Sequence, residues 1–91
     1  MMQVVRTQSY LDDLDRIEAS IARDNPMAGS DMWMHIDEQV DSLADPNFPR
    51  RPGSATDTFE LVAHRNYIVI LEQDGNTVTV LNVVHARQKY P

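Results

Sequence analysis

The residues best equipped for chemistry fall in two short stretches. His85, Arg87, Gln88, Lys89 and Tyr90 close the chain, and His64-Arg65 precede them in an earlier polar break between apolar runs. Imidazole and phenol groups donate and accept protons, while guanidinium groups neutralise anions. That combination suits RNA cleavage through the 2′-hydroxyl, which needs a base for that proton, an acid for the leaving 5′-oxygen and cations for the charged phosphorane. Only His64, Arg65, His85, Arg87 and Tyr90 could form such a site. The strand-like run ahead of them carries Asp57, Phe59 and Glu60 in place of a cationic row, and carboxylates there would repel phosphate. Period-two alternation puts His85, Arg87 and Lys89 on one face of a strand, either as a solvated strand end or as an edge that binds a partner.

Other reactive residues read more simply. His35 and Glu38, three apart on a helix, could ligate a metal, but a surface pair is the preferred reading and no metal or cofactor is expected. Arg50 and Arg51 stand between prolines and read as a solvated loop. Trp33 with Met27, Met32 and Met34 reads as the core or rim of a helical hairpin rather than a contact with a target.

Net charge is −6 over 91 residues and is unevenly placed: residues 1–47 hold ten acids and three bases, residues 48–91 four acids and five bases. Nucleic-acid binders gather a basic patch because counterion release drives that association. The acidic half therefore reads as solvated surface, and direct nucleic-acid binding is not expected. The chain has no cysteine, which removes disulfides and thiolate metal sites and favours a reducing cytoplasm. Its longest purely apolar run, Tyr67 to Leu71, is far shorter than the ~20 residues of a membrane span, and no membrane association is expected.

Positioning these groups falls to a single domain, 1–91. Met2 to Thr7 is β-branched and predicts a strand. Ser9, with Asp12 three positions on, resembles a capping box that opens a helix. Tyr10, Leu14, Ile17 and Ile21 then recur at helical spacing with Asp12, Asp13 and Asp15 in the first turn. Asn25-Pro26 predicts the cap and first position of a second helix carrying Met32, Trp33, Ile36, Val40 and Leu43, so the two helices form a hairpin. Asp45 to Gly53 holds three of the five prolines and predicts no regular structure. Strands are predicted at Thr58 to Ala63, Tyr67 to Gln73 and Thr77 to Arg87, with Asp74-Gly75 as a hairpin turn. Consecutive apolar residues in the last two (Ile68 to Leu71; Val80-Leu81; Val83-Val84) predict central strands buried on both faces. The class is α+β, ordered β-α-α-β-β-β, with a helical hairpin packed on a mainly antiparallel sheet.

The run Val83-Val84-His85-Ala86-Arg87-Gln88-Lys89-Tyr90-Pro91 resembles the His-Gly-Arg-Gln, aromatic, Pro ending of ParE-type plasmid-stabilisation toxins, within the RelE/ParE superfamily. Tyr10 to Ile21 is similar to the family's first helix, and Ala22 to Ala28 (ARDNPMA) to its Asp-Asn-Pro hairpin turn. Leu43 to Pro46, Glu60-Leu61-Val62 and Tyr67-Ile68-Val69 resemble further family segments in the same order. The sequence departs from the family at Phe59 and Asn82, where Arg is common, at Asn66, where Pro is, and at Ala86, where Gly is.

The resemblance implies the toxin of a type II toxin–antitoxin system that inhibits DNA gyrase by direct binding, as a protein inhibitor rather than an enzyme. It favours the partner-binding edge, with Arg65, His85, Arg87, Gln88, Lys89 and Tyr90 facing the target. It also implies a cognate antitoxin in a hetero-oligomer, for which Leu14, Ile21, Trp33, Ile36 and Val40 are the candidate contacts. The alternatives are a RelE-like ribosome-dependent mRNA endonuclease, with His85, Arg87 and Tyr90 as catalytic candidates, or a relative that has lost toxicity.

Overall fold

A computed structural model describes residues 1–87. A strand, β1 (Gln3–Arg6), leads into two helices, α1 (Gln8–Ala22) and α2 (Pro26–Asp41). A 3-10 turn at Ser42–Ala44 and a loop reach a two-residue strand, β2 (Arg51–Pro52), and then β3 (Thr58–His64), β4 (Tyr67–Asp74) and β5 (Thr77–His85). The five strands line up as β1-β5-β4-β3-β2, with every pairing antiparallel except β1 on β5. The α+β class and the helical hairpin on a mainly antiparallel sheet are as the sequence predicts; β2, inside the proline-rich stretch, is an addition.

Helix boundaries follow from their caps. Asn25 caps α2 as predicted, its side chain accepting the Ala28 N–H at 3.1 Å, with Pro26 at the first position. The cap of α1 is Thr7 rather than Ser9: its hydroxyl oxygen accepts the Tyr10 N–H at 3.2 Å. The helix starts earlier, and Asp12, Asp13 and Asp15 fall beyond its first turn. The same Thr7 hydroxyl donates to the Val80 carbonyl at 2.7 Å, so one residue ends β1, starts α1 and fastens both to β5.

The core lies between the hairpin and one face of the sheet. Tyr10, Leu14, Ile36, Val40 and Leu43 meet Leu61, Val69, Leu71, Val78 and Val80, and all are buried. The helices cross closely at Gly29, which is buried; a Cβ there would stand 2.7 Å from the Glu18 carbonyl oxygen. Beneath the core, the Tyr10 hydroxyl donates to Asp37 at 2.9 Å, and Arg6 donates to Asp37 at 2.8 Å and to Asp41. Burial raises the Tyr10 pKa, and the Asp37 carboxylate adds to the rise. Burial lowers that of Arg6, but the two carboxylates outweigh it and hold the guanidinium above its ordinary range.

β4 and β5 are the central strands expected from consecutive apolar residues, but burial on both faces is confined to Ile68 and Val69 of β4 and does not run along either strand. The helices cover one sheet face, and the other leaves Ile70 and Val84 half-buried and Val62 exposed. The apolar runs mark a bulge instead. Ile70 pairs with Asn82 but Leu71 pairs with Val80, so Leu81 is an extra residue in β5. The extra residue changes the phase of inward positions from Val78 and Val80 to Val83. A second irregularity at Ala63 does the same in β3.

Candidate functional site

At one end of the sheet the chain makes two similar turns side by side. In the β3–β4 loop the His64 Nδ1 accepts the Asn66 N–H at 3.1 Å, and just past β5 the His85 Nδ1 accepts the Arg87 N–H at 3.1 Å. The Ala86 N–H donates to the Asn66 carbonyl at 2.8 Å and joins the turns. An Nδ1 that accepts a backbone N–H leaves the proton of a neutral imidazole on Nε2. Both rings are therefore set to offer Nε2–H donors.

Tyr67 stands between them. It pairs with His85 across the β4–β5 ladder, with ring centroids 5.5 Å apart edge to face, and its centroid is 6.1 Å from that of His64. His35 of α2 extends the row, 5.9 Å from His64, and its Nε2–H donates to the Ala63 carbonyl at 2.8 Å. All three histidines of the chain thus fall in one row with Tyr67, in the order His35, His64, Tyr67, His85. Arg65 and Arg87 flank the row, exposed and without an ion pair among the described residues. A groove of about 700 Å³ borders it, walled by Asp13, Arg16 and Ser20 of α1 on one side and by Tyr67 and His85 on the other. The arrangement offers hydrogen-bond donors and positive charge at an aromatic edge, which suits recognition of anionic or carbonyl groups on a partner.

The predicted residues separate into three groups. His64, Arg65, His85 and Arg87 do come together. β5 ends at His85, however, and Arg87 lies in the following turn, so the two do not share a strand face. Gln88, Lys89 and Tyr90 lie outside the described residues. Of the expected antitoxin contacts, Leu14, Ile36 and Val40 have no exposed surface: their helical stripe packs on the sheet, so they brace the hairpin from within. Ile21 and Trp33 remain half-buried at its rim, where the Trp33 Nε1–H donates to Asp15 at 3.1 Å.

His35 does not act with Glu38: it reaches the end of β3, and no group of three metal-binding side chains exists among the described residues. Nor is Arg50 a solvated loop residue. Its guanidinium donates to the Asp45 carbonyl at 2.6 Å, to the Phe48 carbonyl at 3.0 Å and to Gln73 at 2.8 Å, and burial lowers its pKa against the pull of Asp45. Arg51 pairs with the buried Glu60 at 2.9 Å. Sequence reasoning missed Tyr67 and the role of His35. Counting back from the Gly75 turn places Tyr67 opposite Val84, and only the bulge at Leu81 moves it to His85.

The family model for the ParE toxin of the type II toxin–antitoxin system parDE matches residues 4–90. The chain belongs to the ParE toxin family. It is 36% identical over 78 residues to the Sinorhizobium fredii protein named "Putative toxin Y4kP", covering 86% of this chain and 81% of that one. The chromosomal ParDE toxin–antitoxin system of P. aeruginosa contains a chain of the same fold, with TM-score 0.83, 21% identity and coverage of 93% of this chain and 96% of that one. The RelBE2 toxin–antitoxin complex of Mycobacterium tuberculosis contains another, with TM-score 0.66, 19% identity and coverage of 96% and 93%.

In this ParE-family toxin three of the four departures from the family pattern have a local structural account. Phe59 packs against the core, where an Arg would bring charge to an apolar margin. The Asn82 amide donates to the Ser9 hydroxyl at 2.7 Å and to Asp13 at 3.1 Å, tying the bulge to α1. Ala86 takes no positive φ, so its turn does not require glycine.

Proposed function

We propose that this ParE-family toxin acts by binding DNA gyrase in the cytoplasm through the edge formed by His64, Arg65, Tyr67, His85 and Arg87, with Gln88, Lys89 and Tyr90, outside the described residues, as further candidate contacts. A cognate antitoxin neutralises it. The observation that carries this reading is the chemistry of the uncovered sheet face. By strand register that face carries Val62, Ile68, Ile70, Glu72 and Val84, and Glu60 is buried on it against Arg51. A site that stabilises a phosphorane needs unneutralised cations aimed at it, whereas an aliphatic and acidic sheet beside an aromatic, cationic edge suits a protein surface. No helix among the described residues is long and apolar enough to cross a membrane.

One observation favours a second reading, a ribosome-dependent mRNA endonuclease. His64 and His85 flank Tyr67, and a pair of imidazoles in different protonation states is the kind that serves as general acid and base. The two readings part in one experiment. Purified toxin is mixed with gyrase and supercoiled plasmid, and in parallel with a translation reaction containing labelled mRNA. Gyrase-dependent cleaved plasmid with intact mRNA is the expected result. Codon-positioned mRNA cuts with unaffected gyrase would replace the inhibitor reading with the nuclease one, and no effect in either assay would mark a relative without toxicity.

A further inference from the structure

His35 belongs to α2 rather than to either turn of the target-facing edge, yet it is bonded to the strand that leads into them. Its neighbour Ile36 is buried, as is Val40 one turn on, so close packing locks this stretch of α2 against the sheet. His35 itself is exposed, and its ring turns back to donate Nε2–H to the Ala63 carbonyl at 2.8 Å. Ala63 is the residue at which β3 slips register. Val62 pairs with Ile68 and His64 with Tyr67, while Ala63 between them has no register partner in β4. It is nevertheless buried. A bulge disrupts the ladder locally, and a buried carbonyl needs a donor from elsewhere. The helix supplies one through His35.

That carbonyl is part of the planar peptide unit joining Ala63 to His64, so fixing it sets the direction in which His64 leaves the strand. The edge contact between the two imidazoles, 5.9 Å apart, restricts the His64 ring further. His64 in turn accepts the Asn66 N–H, and the Asn66 carbonyl accepts the N–H of Ala86 in the second turn. One hydrogen bond from α2 thus heads a series of contacts that reaches both turns.

We infer that His35 is a positioning residue for the target-facing edge, setting the placement of His64, Arg65 and the Ala86 turn through the Ala63 carbonyl. This role rests on the gyrase reading above and adds the side chain that holds the edge in shape. Recognition groups act at full strength only when their supporting contacts hold them to within a fraction of an ångström. What position 35 must provide is an N–H donor at the right reach. Glutamine carries its amide nitrogen as far from Cα as the imidazole carries Nε2, and phenylalanine keeps a ring but no donor.

The test compares the full-length toxin with His35→Gln and His35→Phe, using two readouts. One is the set of ring-nitrogen resonances of His64 with the backbone amides of Asn66 and Ala86, recorded at mildly alkaline pH where imidazoles are neutral. The other is the toxin concentration that half-inhibits gyrase. Thermal melts establish that each variant is folded, and His35→Leu replaces His35→Phe as the variant without a donor if the latter does not fold. The parent is expected to show His64 as the Nε2–H tautomer. His35→Phe is expected to mix the His64 tautomers, shift both amides and weaken inhibition by about fivefold or more. His35→Gln is expected to keep the parent's tautomer and to inhibit within about twofold of it. An unchanged His64 pattern in the variant without a donor would overturn the role, whatever the inhibition does. Perturbed turns with undiminished inhibition would overturn it too, as would a folded His35→Gln no better than His35→Phe. A parent that leaves gyrase untouched would end the gyrase reading alone, because the resonances still decide whether His35 sets the turns.

Discussion

Asp13, in the second turn of α1, accepts the backbone N–H of Val83 in β5 through Oδ2 at 2.9 Å. β1 pairs with β5 only as far as Val80, so beyond that point the outer edge of β5 has no strand beside it. The N–H of Val83 is buried there without a ladder partner, and the helix supplies a carboxylate in its place. The same carboxylate holds Asn82 and Arg16. One side chain thus fixes the bulge that sets where β5 ends and where His85 stands.

Asp13→Ala is therefore expected to destabilise the fold by about 2–3 kcal/mol, because it leaves a buried N–H and an amide without their charged acceptor. Chemical denaturation measures the loss. Backbone amide shifts should change at Asn82 to His85, and a variant with unchanged stability would remove Asp13 from this role.

Gly29→Ala is expected to cost about 1–3 kcal/mol despite the higher helix propensity of alanine. The added methyl would meet the Glu18 carbonyl oxygen at 2.7 Å and the Ala22 Cβ at 3.1 Å, both on rigid helix. Because backbone stands in the way, the helices must move apart. A raised melting temperature would show that they yield freely.

The pKa of Tyr10 is raised in the fold, first by burial and then by Asp37. Folding therefore favours its protonated form. The stability from this group is complete below the unfolded tyrosine pKa of about 10 and is lost as pH climbs above it. Tyr10→Phe should lower stability at neutral pH by about 1 kcal/mol through the lost hydrogen bond. It should also flatten the fall in stability above about pH 10. Denaturation midpoints from neutral to alkaline pH provide the check, and an equally steep fall in the variant would assign it to other groups.

His85→Ala is expected to cut gyrase inhibition by about tenfold or more while changing stability by less than about 1 kcal/mol, the scale of an edge-to-face ring contact. Its ring is only partly buried, and its cap spans two residues at the end of β5. Plasmid cleavage titrations and thermal melts separate the two effects. Full inhibitory activity in a folded His85→Ala variant would move the functional edge elsewhere.

Much of this protein is written in local pattern. The helical spacing of Tyr10, Leu14, Ile17 and Ile21, the Asn25-Pro26 cap and the turn at Gly75 each depend on residues a few positions apart, and each formed as the sequence implies. The ordered set of family-like segments was equally legible, since it needs only the order of residues along the chain. Tertiary structure alone decided what depends on registers and on distant partners. Whether consecutive valines in β5 meant burial on two faces or a change of phase turned on one extra residue, Leu81, whose neighbours Asn82 and Val83 are held by a carboxylate about seventy positions away. That single shift brings Tyr67 opposite His85. Leu14, Ile36 and Val40 likewise carried no mark to say which apolar stripe would meet the sheet and which would stay open to a partner. A stripe records that a face is apolar, and only the packing of the helices decides what covers it.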